Sequence, residues 1–280
     1  MSNNTSALRS VLITGCSTGI GLETAKQLHN KNFHVIASVR NKNDLTLFET
    51  HAIECIQLDL DSEDSITNAV SYIQENHPKL YGLVNNGAYG QPGAVEDLTR
   101  TALQEQFETN VFGTHSLTQK LIPLFRKNNN GRIIQISSIL GFVGLPMRGA
   151  YNASKFALEG LSDTLRVELL NTNIKVSIIQ PGPIESAFKS NAYKAFTKHI
   201  DAKNSVYSKP YEQVYGRLHR QENVRFTLPA SAVADCVEHA LSHRKPKVRY
   251  RVTTPTKIMA ILKRIAPNRW LDILIAKQGN

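Results

Sequence analysis

The amino-acid sequence predicts a single α/β domain built on a doubly wound parallel sheet. Short strands alternate with helical segments of about 10–15 residues, which is the order that βαβ units produce. The strand segments are rich in Val and Ile and do not alternate with polar residues, as expected when helices cover both faces of a sheet. The length of 280 residues suits one such domain, because α/β domains often reach about 250 residues.

We predict seven strands and six helical segments. The strands are placed at residues 11–13, 33–39, 53–58, 80–84, 132–136, 174–179 and 248–252. The helical segments are placed after the first strand up to residue 28, then at 66–76, 99–127, 151–170, 229–241 and 256–276, the last interrupted at Pro267.

Three segments make up the predicted domain organisation. Residues 8–254 form the catalytic and dinucleotide-binding domain, and residues 255–280 form a basic extension. Within the domain, residues 187–228 are an irregular insertion that carries seven of the nineteen Tyr and Phe residues. We interpret it as a mobile lid over an apolar substrate, formed by small helices that pack their rings against the body.

Composition excludes several classes of protein. A chain with 41% hydrophobic and 20% charged residues is ordinary for a globular domain and wrong for a disordered one. Its apolar runs are shorter than the roughly 18 residues of a membrane span, and residues 1–10 lack the apolar core of a signal peptide. Three cysteines fit neither a disulfide framework nor a zinc ribbon. We therefore predict a cytoplasmic protein.

The net charge of +10 is concentrated at one end. Residues 241–280 contain ten Lys and Arg and one acid, Asp272. A nucleic-acid-binding surface would spread its charge over the fold and interleave aromatic rings, so we predict no nucleic-acid partner. In residues 256–276, apolar residues at helical spacing stand beside basic ones. This pattern suits a helix lying on a membrane surface, or one that packs on the body with its charges in water. A homo-oligomer is compatible with the sequence.

A glycine-rich segment joins the first strand to the first helix. Residues 14–21 read Thr-Gly-Cys-Ser-Thr-Gly-Ile-Gly, with the spacing G-x-x-x-G-x-G. Glycines at this position let the backbone approach a pyrophosphate at a helix N-terminus, although glycine also marks plain turns. The segment predicts a dinucleotide site formed by Gly15, Ser17, Thr18, Gly19, Ile20 and Gly21.

The end of the second strand bears on which dinucleotide binds. A carboxylate there would bond a ribose 2′-hydroxyl and repel a 2′-phosphate. The strand ends instead on Arg40, whose planar guanidinium suits a phosphate. We predict NADP(H); the alternative is that Arg40 is a solvated loop charge.

Four polar residues are candidates for catalysis. Tyr151 and Lys155 are four residues apart on a predicted helix and so share one face. A neighbouring cation favours the phenolate, so we expect Lys155 to lower the pKa of Tyr151. Ser138 follows a buried strand and could polarise a substrate carbonyl. Asn110 lies in an apolar helical stretch, where we expect a water linked to Lys155 to satisfy it.

Taken together, these residues resemble the signature of the short-chain dehydrogenase/reductase (SDR) family. The resemblance runs from about residue 10 to residue 190 and includes residues 14–21 and 83–87, Asp59, Asn110, Ser138, Tyr151, Lys155, Pro181 and Gly182. It departs from the family at Gly87, where the usual order is Asn-Asn-Ala-Gly, and at Ser186, where threonine is commoner. The surroundings of Tyr151 and Pro181 are similar to those in 17β-hydroxysteroid and retinol dehydrogenases and their bacterial relatives.

The resemblance implies a Rossmann fold and a role for each residue. It makes Tyr151 the general acid/base, Lys155 the ligand of the nicotinamide ribose, Ser138 the group that positions the substrate oxygen, and Asn110 part of a proton relay. The remaining cofactor residues that it implies are Asp59, Leu60, Asn86, Gly87, Pro181, Gly182, Ile184 and Ser186.

These roles imply an NADP(H)-dependent oxidoreductase that interconverts a lipophilic alcohol and its ketone or aldehyde. The alternative is a catalytically silent NADP(H)-binding sensor or scaffold of the same fold. The nine histidines show no metal-ligand spacing, so we predict no metal. We expect Cys16 to be unreactive, since no basic neighbour lowers its pKa.

Overall fold

The computed structural model of the chain describes residues 8–219 and 225–276. These residues contain one sheet, in which each neighbouring pair of strands is parallel. The strands lie in the order β3-β2-β1-β4-β5-β6-β7, which is the doubly wound topology that the sequence predicts. Their bounds are β1 (Arg9–Ile13), β2 (Phe33–Val39), β3 (Glu54–Gln57), β4 (Gly82–Asn85), β5 (Gly131–Ile136), β6 (Ile174–Gln180) and β7 (Arg249–Arg251).

Helices connect the strands and cover the sheet. Their bounds are α1 (Gly19–Asn30), α2 (Glu63–Asn76), α3 (Arg100–Phe107), α4 (Thr114–Lys127), α5 (Gly149–Glu168), α6 (Phe188–His199), α7 (Ser208–His219), α8 (Ser231–Ser242), α9 (Thr254–Ile265) and α10 (Asn268–Ala276). A 3-10 helix at Lys42–His51 was not predicted. It buries only Phe48 among its ten residues, so packing against the body places little constraint on its sequence.

The single long helix predicted at residues 99–127 is wrong in one respect. A π-helical segment at Glu108–Gly113 separates α3 from α4. A Cβ atom at Gly113 would lie 1.9 Å from the carbonyl oxygen of Leu60, so glycine is needed for the helix to approach the loop after β3. Two features thus meet at this segment: a close backbone contact and the buried Asn110.

The insertion forms two helices with a small core of their own. Phe196, Ile200, Tyr211 and Val214 are buried together with Ala94. The Tyr211 hydroxyl donates to Asp97 at 2.5 Å and accepts from the backbone N–H of Ala94 at 2.9 Å. These contacts agree with the expected small helices that pack their rings on the body. The lid role stays a prediction.

The C-terminal extension consists of α9 and α10, with the interruption at Pro267 that the sequence predicts. Lys277, one of the ten basic residues of this region, lies outside the described residues. Within residues 8–219 and 225–276, none of the helices has the length and apolar character needed to cross a bilayer.

Gly113→Ala tests the close approach at the π-helical segment. We expect the substitution to lower the free energy of unfolding by about 1–3 kcal/mol, because the added methyl overlaps a backbone oxygen that cannot move alone. The matched control is Gly160→Ala in α5, where a Cβ atom meets nothing within 4 Å. That change should raise stability by about 0.5–1 kcal/mol. Equal denaturation midpoints for the two variants would contradict the packing described above.

Candidate active site

The candidate site lies at the carboxyl ends of the central strands. β1 and β4 are neighbours in the sheet although β2 and β3 lie between them along the chain, and the strand order reverses between them. Such a reversal opens a crevice in which doubly wound proteins bind their ligands. The loops after β1, β4, β5 and β6 carry the residues singled out from the sequence.

The glycine loop after β1 has the conformation that an anion site requires. Gly15 and Gly19 adopt φ angles of +69° and +57°, in the left-handed region that favours glycine. Thr18 precedes α1 in an extended conformation, and within the described residues no side chain caps this helix and no acid lies in its first turn. The first N–H groups of α1 therefore remain available, and the residues fit a pyrophosphate.

Thr14 and Asn86 join this loop to the loop after β4. The Thr14 hydroxyl oxygen accepts from the backbone N–H groups of Asn86 and Gly87, at 2.9 and 2.8 Å. In return, the Asn86 amide donates to the carbonyl oxygens of Thr14 and Gly15, at 2.9 and 3.0 Å. The predicted cofactor residues Asn86 and Gly87 are thereby fixed against the glycine loop. Thr14 itself was not predicted to have this role, although it stands first in the motif.

The expected adenosine end of the site is an open depression of about 720 Å³ at the ends of β2 and β3. Arg40 and Asp59, two of the predicted cofactor residues, line it, and Lys42 adds a second cation that was not predicted. The carboxylates of Asp44 and Asp61 also line it, so the depression holds both signs of charge.

The loop after β6 meets the N-terminus of α1 on the other side of the crevice. A Cβ atom at Gly19 would lie 2.9 Å from Cβ of Ser186, and one at Gly182 would lie 2.2 Å from the Thr253 hydroxyl. The carbonyl oxygen of Pro181 accepts from the N–H of Ile139 at 2.7 Å, next to Ser138. Ile184 forms an isolated bridge with Leu228. The predicted residues after β6 therefore lie between the glycine loop and the candidate catalytic group.

Ser138, Tyr151 and Lys155 come together beside this crevice and are all buried. The Lys155 ammonium donates to the carbonyl oxygen of Ile136 at 2.8 Å and lies 5.8 Å from the centre of the Tyr151 ring. Ser138 begins a short 3-10 turn, and its hydroxyl oxygen accepts from the N–H of Leu140 at 3.1 Å. Strand β5 positions Ser138, which follows it, and the carbonyl oxygen of Ile136 that Lys155 contacts. Helix α5 carries the side chains of Tyr151 and Lys155.

The pKa of Tyr151 differs from the expectation that Lys155 lowers it. Burial raises the pKa of Tyr151 to about 12, although a side-chain hydrogen bond with Ser138 and the charge of Arg148 act to lower it. Burial lowers the pKa of Lys155 to about 8, although the nearby carboxylate of Glu159 acts to raise it. The protein by itself thus does not lower the tyrosine pKa, because removal from water outweighs the neighbouring charges.

Protein groups satisfy both ends of the Asn110 side chain, and the expected water linked to Lys155 stays a prediction. Its amide oxygen accepts from the N–H of Tyr89 at 3.1 Å, and its amide nitrogen donates to the carbonyl oxygen of Tyr89 at 2.9 Å. The same nitrogen reaches the Ser154 hydroxyl at 3.1 Å, which in turn donates to the carbonyl oxygen of Tyr151. Asn110 therefore connects the loop after β4 to the backbone at Tyr151.

Two further residues close to Tyr151 were missed. Arg148 immediately precedes α5, and burial lowers its own pKa to about 10. Phe188, the first residue of α6, places its ring 5.3 Å from that of Tyr151 in an edge-on contact. Proximity in sequence could have indicated Arg148, three residues before the tyrosine. Phe188 reaches the site only because the insertion folds back over it.

Three potential metal-ligating residues converge away from the predicted motifs. His34 and His77 each lie 2.9 Å from the carboxylate of Glu54, and the three candidate ligand atoms lie within 4.8 Å of one another. They come from β2, β3 and the residue after α2, so no short spacing reveals them. Burial alone would raise the pKa of Glu54, but the hydrogen bonds to His77 and His34 outweigh it and hold that pKa below its usual value. The absence of a metal stays a prediction.

Comparison with protein families gives a match to the short chain dehydrogenase model over residues 9–196. The uncharacterized oxidoreductase YbbO of Escherichia coli is 40% identical over 268 residues, which cover 95% of this chain and 94% of that protein. Bovine retinol dehydrogenase 8 is 31% identical over 94% of this chain and 87% of its own length. An NADPH-dependent 3-dehydrocapnine reductase of Ornithobacterium rhinotracheale is 32% identical, with 96% and 97% coverage.

Solved structures show the same fold. A short chain dehydrogenase from Burkholderia cenocepacia in complex with NADP has a TM-score of 0.75 at 20% identity, covering 96% of this chain and 97% of that one. A short chain dehydrogenase/reductase from Burkholderia phymatum in complex with NAD has a TM-score of 0.77 at 20% identity, with 91% and 92% coverage. At these identities the likeness concerns the fold.

The raised pKa of Tyr151 is testable in the protein without added ligand. We expect the phenolate absorbance of the wild type minus that of Tyr151→Phe to stay near zero until the pH approaches about 12. The other tyrosines cancel in this difference, which leaves the single buried phenol. Ionisation of Tyr151 below the ordinary tyrosine value of about 10 would show that the surrounding charges outweigh burial.

Proposed function

The chain belongs to the short-chain dehydrogenase/reductase family, and from that premise we propose that it is an NADP(H)-dependent oxidoreductase. The proposed reaction interconverts a lipophilic alcohol and its ketone or aldehyde. The observation that carries the proposal is the convergence of Ser138, Tyr151 and Lys155 in one buried group beside the glycine loop. When bound, the nicotinamide supplies or accepts a hydride. The residues described above have to bind the dinucleotide, orient the substrate and transfer a proton.

Tyr151 is proposed as the general acid/base. A pKa near 12 keeps the phenol protonated at neutral pH, so that it can donate its proton to a carbonyl oxygen during reduction. In the oxidising direction the same oxygen would have to take the proton from the alcohol, which needs a lower pKa. We assign that adjustment to charge placed near the phenol when the complete site is assembled.

Lys155 is proposed to hold the nicotinamide ribose and to stabilise the phenolate. An ammonium group has three donors, and one of them is used by the carbonyl oxygen of Ile136. The remaining hydrogens are available for ribose hydroxyls. The 5.8 Å separation from the Tyr151 ring keeps the positive charge within the range at which it can act on the phenol.

Ser138 is proposed to orient the substrate oxygen. Its hydroxyl oxygen already accepts from Leu140, so its proton is the part that can be donated to a carbonyl. Asn110 is proposed to act through structure: its bonds to Tyr89 and Ser154 hold the loop after β4 and the start of α5 at a fixed separation. Its share in a proton relay stays a prediction.

A lipophilic substrate is supported by the surroundings of Tyr151. Leu140 and Val143 are buried in the segment between Ser138 and α5, and Phe188 covers the tyrosine ring from the insertion. Such walls favour an apolar substrate with one polar group at the tyrosine. One of the relatives, retinol dehydrogenase 8, is named for an alcohol.

The preference for NADP(H) is proposed from Arg40. It follows β2 at the position where a carboxylate would select the unphosphorylated ribose, and Lys42 lies in the same depression. One relative is named as NADPH-dependent. The acids of this depression oppose binding of the 2′-phosphate that distinguishes NADP(H). We therefore assign most of the preference to the positive charge of Arg40.

We also propose a reducing compartment such as the cytoplasm. Cys16, Cys55 and Cys236 are free thiols, and burial raises the pKa of Cys16 to about 12, which keeps this thiol protonated and supports the expectation that it is unreactive. Assembly with a second copy of the chain remains a prediction.

Tyr151→Phe separates the proposed enzyme from a silent NADP(H)-binding protein. The substitution keeps the ring packing and removes the transferable proton, so we expect turnover to fall by about 10²–10⁴ while NADPH binding stays nearly unchanged. A panel of ketones, aldehydes and sterols followed at the NADPH absorbance band provides the assay, and titration calorimetry provides the affinity. Lys155→Met should lower turnover and also weaken NADPH binding, because Lys155 is assigned a role in each. Unchanged turnover in Tyr151→Phe would refute the role of the tyrosine, and a wild type inactive on the whole panel would favour the sensor.

Arg40→Asp tests the choice of dinucleotide. A charge-assisted contact contributes about 1.5–3 kcal/mol, so the ratio of kcat/KM for NADPH over NADH should fall at least about tenfold and reverse. Arg126→Asp makes the same charge change on the exposed end of α4, just before the amino end of β5, whereas Arg40 follows the carboxyl end of β2; this control should leave the ratio unchanged. A wild type that uses both dinucleotides equally well would count against the proposed role of Arg40.

A further inference from the structure

The C-terminal helices α9 and α10 expose an unusually apolar surface. Six large side chains, here called the tail face, are between 40% and 73% exposed. They are Ile258, Ile261, Ile265, Trp270, Ile273 and Leu274. The sequence left open whether this apolar stripe packs on the body, and the exposure of these six residues shows that it does not.

The tail face points away from the protein because a different side of each helix is buried. In α9 the buried residues are Thr256 and Ala260. At about 100° per residue, Ile258 and Ile265 lie roughly 140–160° around the helix from Ala260. In α10 the buried residue is Leu271, and Ile273 lies about 160° around the helix from it. Thr256, Ala260 and Leu271 are thus the anchoring residues of the two helices, and the residues of the tail face point outward.

Positive charge surrounds the tail face. Lys257, Lys263, Arg264 and Arg269 are exposed on the same two helices, with Asp272 as the acid among them. The Lys263 ammonium lies 5.3 Å from the centre of the Phe156 ring, which is itself 41% exposed on α5. This contact joins the extension to α5 of the catalytic domain.

We propose that the tail face docks on the surface of an anionic lipid bilayer, with α9 and α10 lying in the interface. Apolar side chains can enter the acyl boundary while Lys and Arg contact anionic headgroups, and Trp suits the interfacial region. A second copy of this chain is a poorer occupant, because two tail faces in contact would bring like charges together. The docking depends on the extension and not on the proposed reaction.

Trp270 offers a direct readout, since it is the single tryptophan of the chain and is 72% exposed. The full-length protein is mixed with vesicles of phosphatidylcholine, or of phosphatidylcholine with phosphatidylglycerol, at low salt. We expect the mixed vesicles to shift the Trp emission to shorter wavelength and to carry the protein into the pellet. Raising the salt concentration should reverse part of the binding, because screening weakens the attraction of the basic residues.

Three variants separate the contributions. Replacing Ile261 and Ile265 by Ser should abolish the emission shift with mixed vesicles. Neutralising Lys263, Arg264 and Arg269 to Gln should lower the partition coefficient by about 100-fold, from about fivefold for each basic residue. Leu170→Ser is the matched control, because Leu170 is 62% exposed outside the tail face. It should bind vesicles like the wild type.

The results discriminate among the possible occupants. An emission that no vesicle changes at low salt overturns the proposal. Equal vesicle binding by the wild type and the Ile261/Ile265 variant also overturns it, since the tail face would then play no part. A blue shift that grows with protein concentration without lipid, together with dimers in analytical ultracentrifugation that the same variant abolishes, would assign the tail face to a second copy instead. Dinucleotide binding, measured in parallel, checks that each variant is folded.

Discussion

The arrangement of the site depends on the hydrogen-bonded junction between the loops that follow β1 and β4. One hydroxyl, that of Thr14, accepts two backbone N–H groups, and one amide, that of Asn86, returns two bonds to backbone carbonyls. These four bonds keep the crevice open where the strand order reverses. The glycine loop can then leave the first N–H groups of α1 without a side-chain cap, because the loop is held from the β4 side.

Burial controls the chemistry of the catalytic group more than charge does. Tyr151 and Lys155 are both buried, and each pKa moves toward the value that favours its neutral form. The phenol thus holds its proton firmly, and the ammonium is less firmly protonated than an exposed lysine. A site of this kind is sensitive to any charge that enters it, because little water remains to screen the added field.

The insertion and the C-terminal extension place their apolar side chains differently. In the insertion, Phe196 and Tyr211 are buried against the loop after β4, and Phe188 lies over the tyrosine. In α9 and α10, Ala260 and Leu271 provide the anchors while the six side chains of the tail face remain in solvent. Phe188 of the first segment therefore contacts the candidate catalytic group, whereas the apolar side chains of the second segment form an exposed surface.

The alternation of strands and helices, the glycine loop and the spacing of Tyr151 and Lys155 can be predicted from local sequence, because each depends on residues close together in the chain. The π-helical break at Asn110 was not predicted, and it lies where Gly113 closely approaches the backbone of Leu60. Local sequence also did not give the partners of Asn110 or the sign of the Tyr151 pKa shift. Those depend on which distant backbone atoms arrive at the residue and on how much water they remove, and both are set only when the tertiary structure is complete.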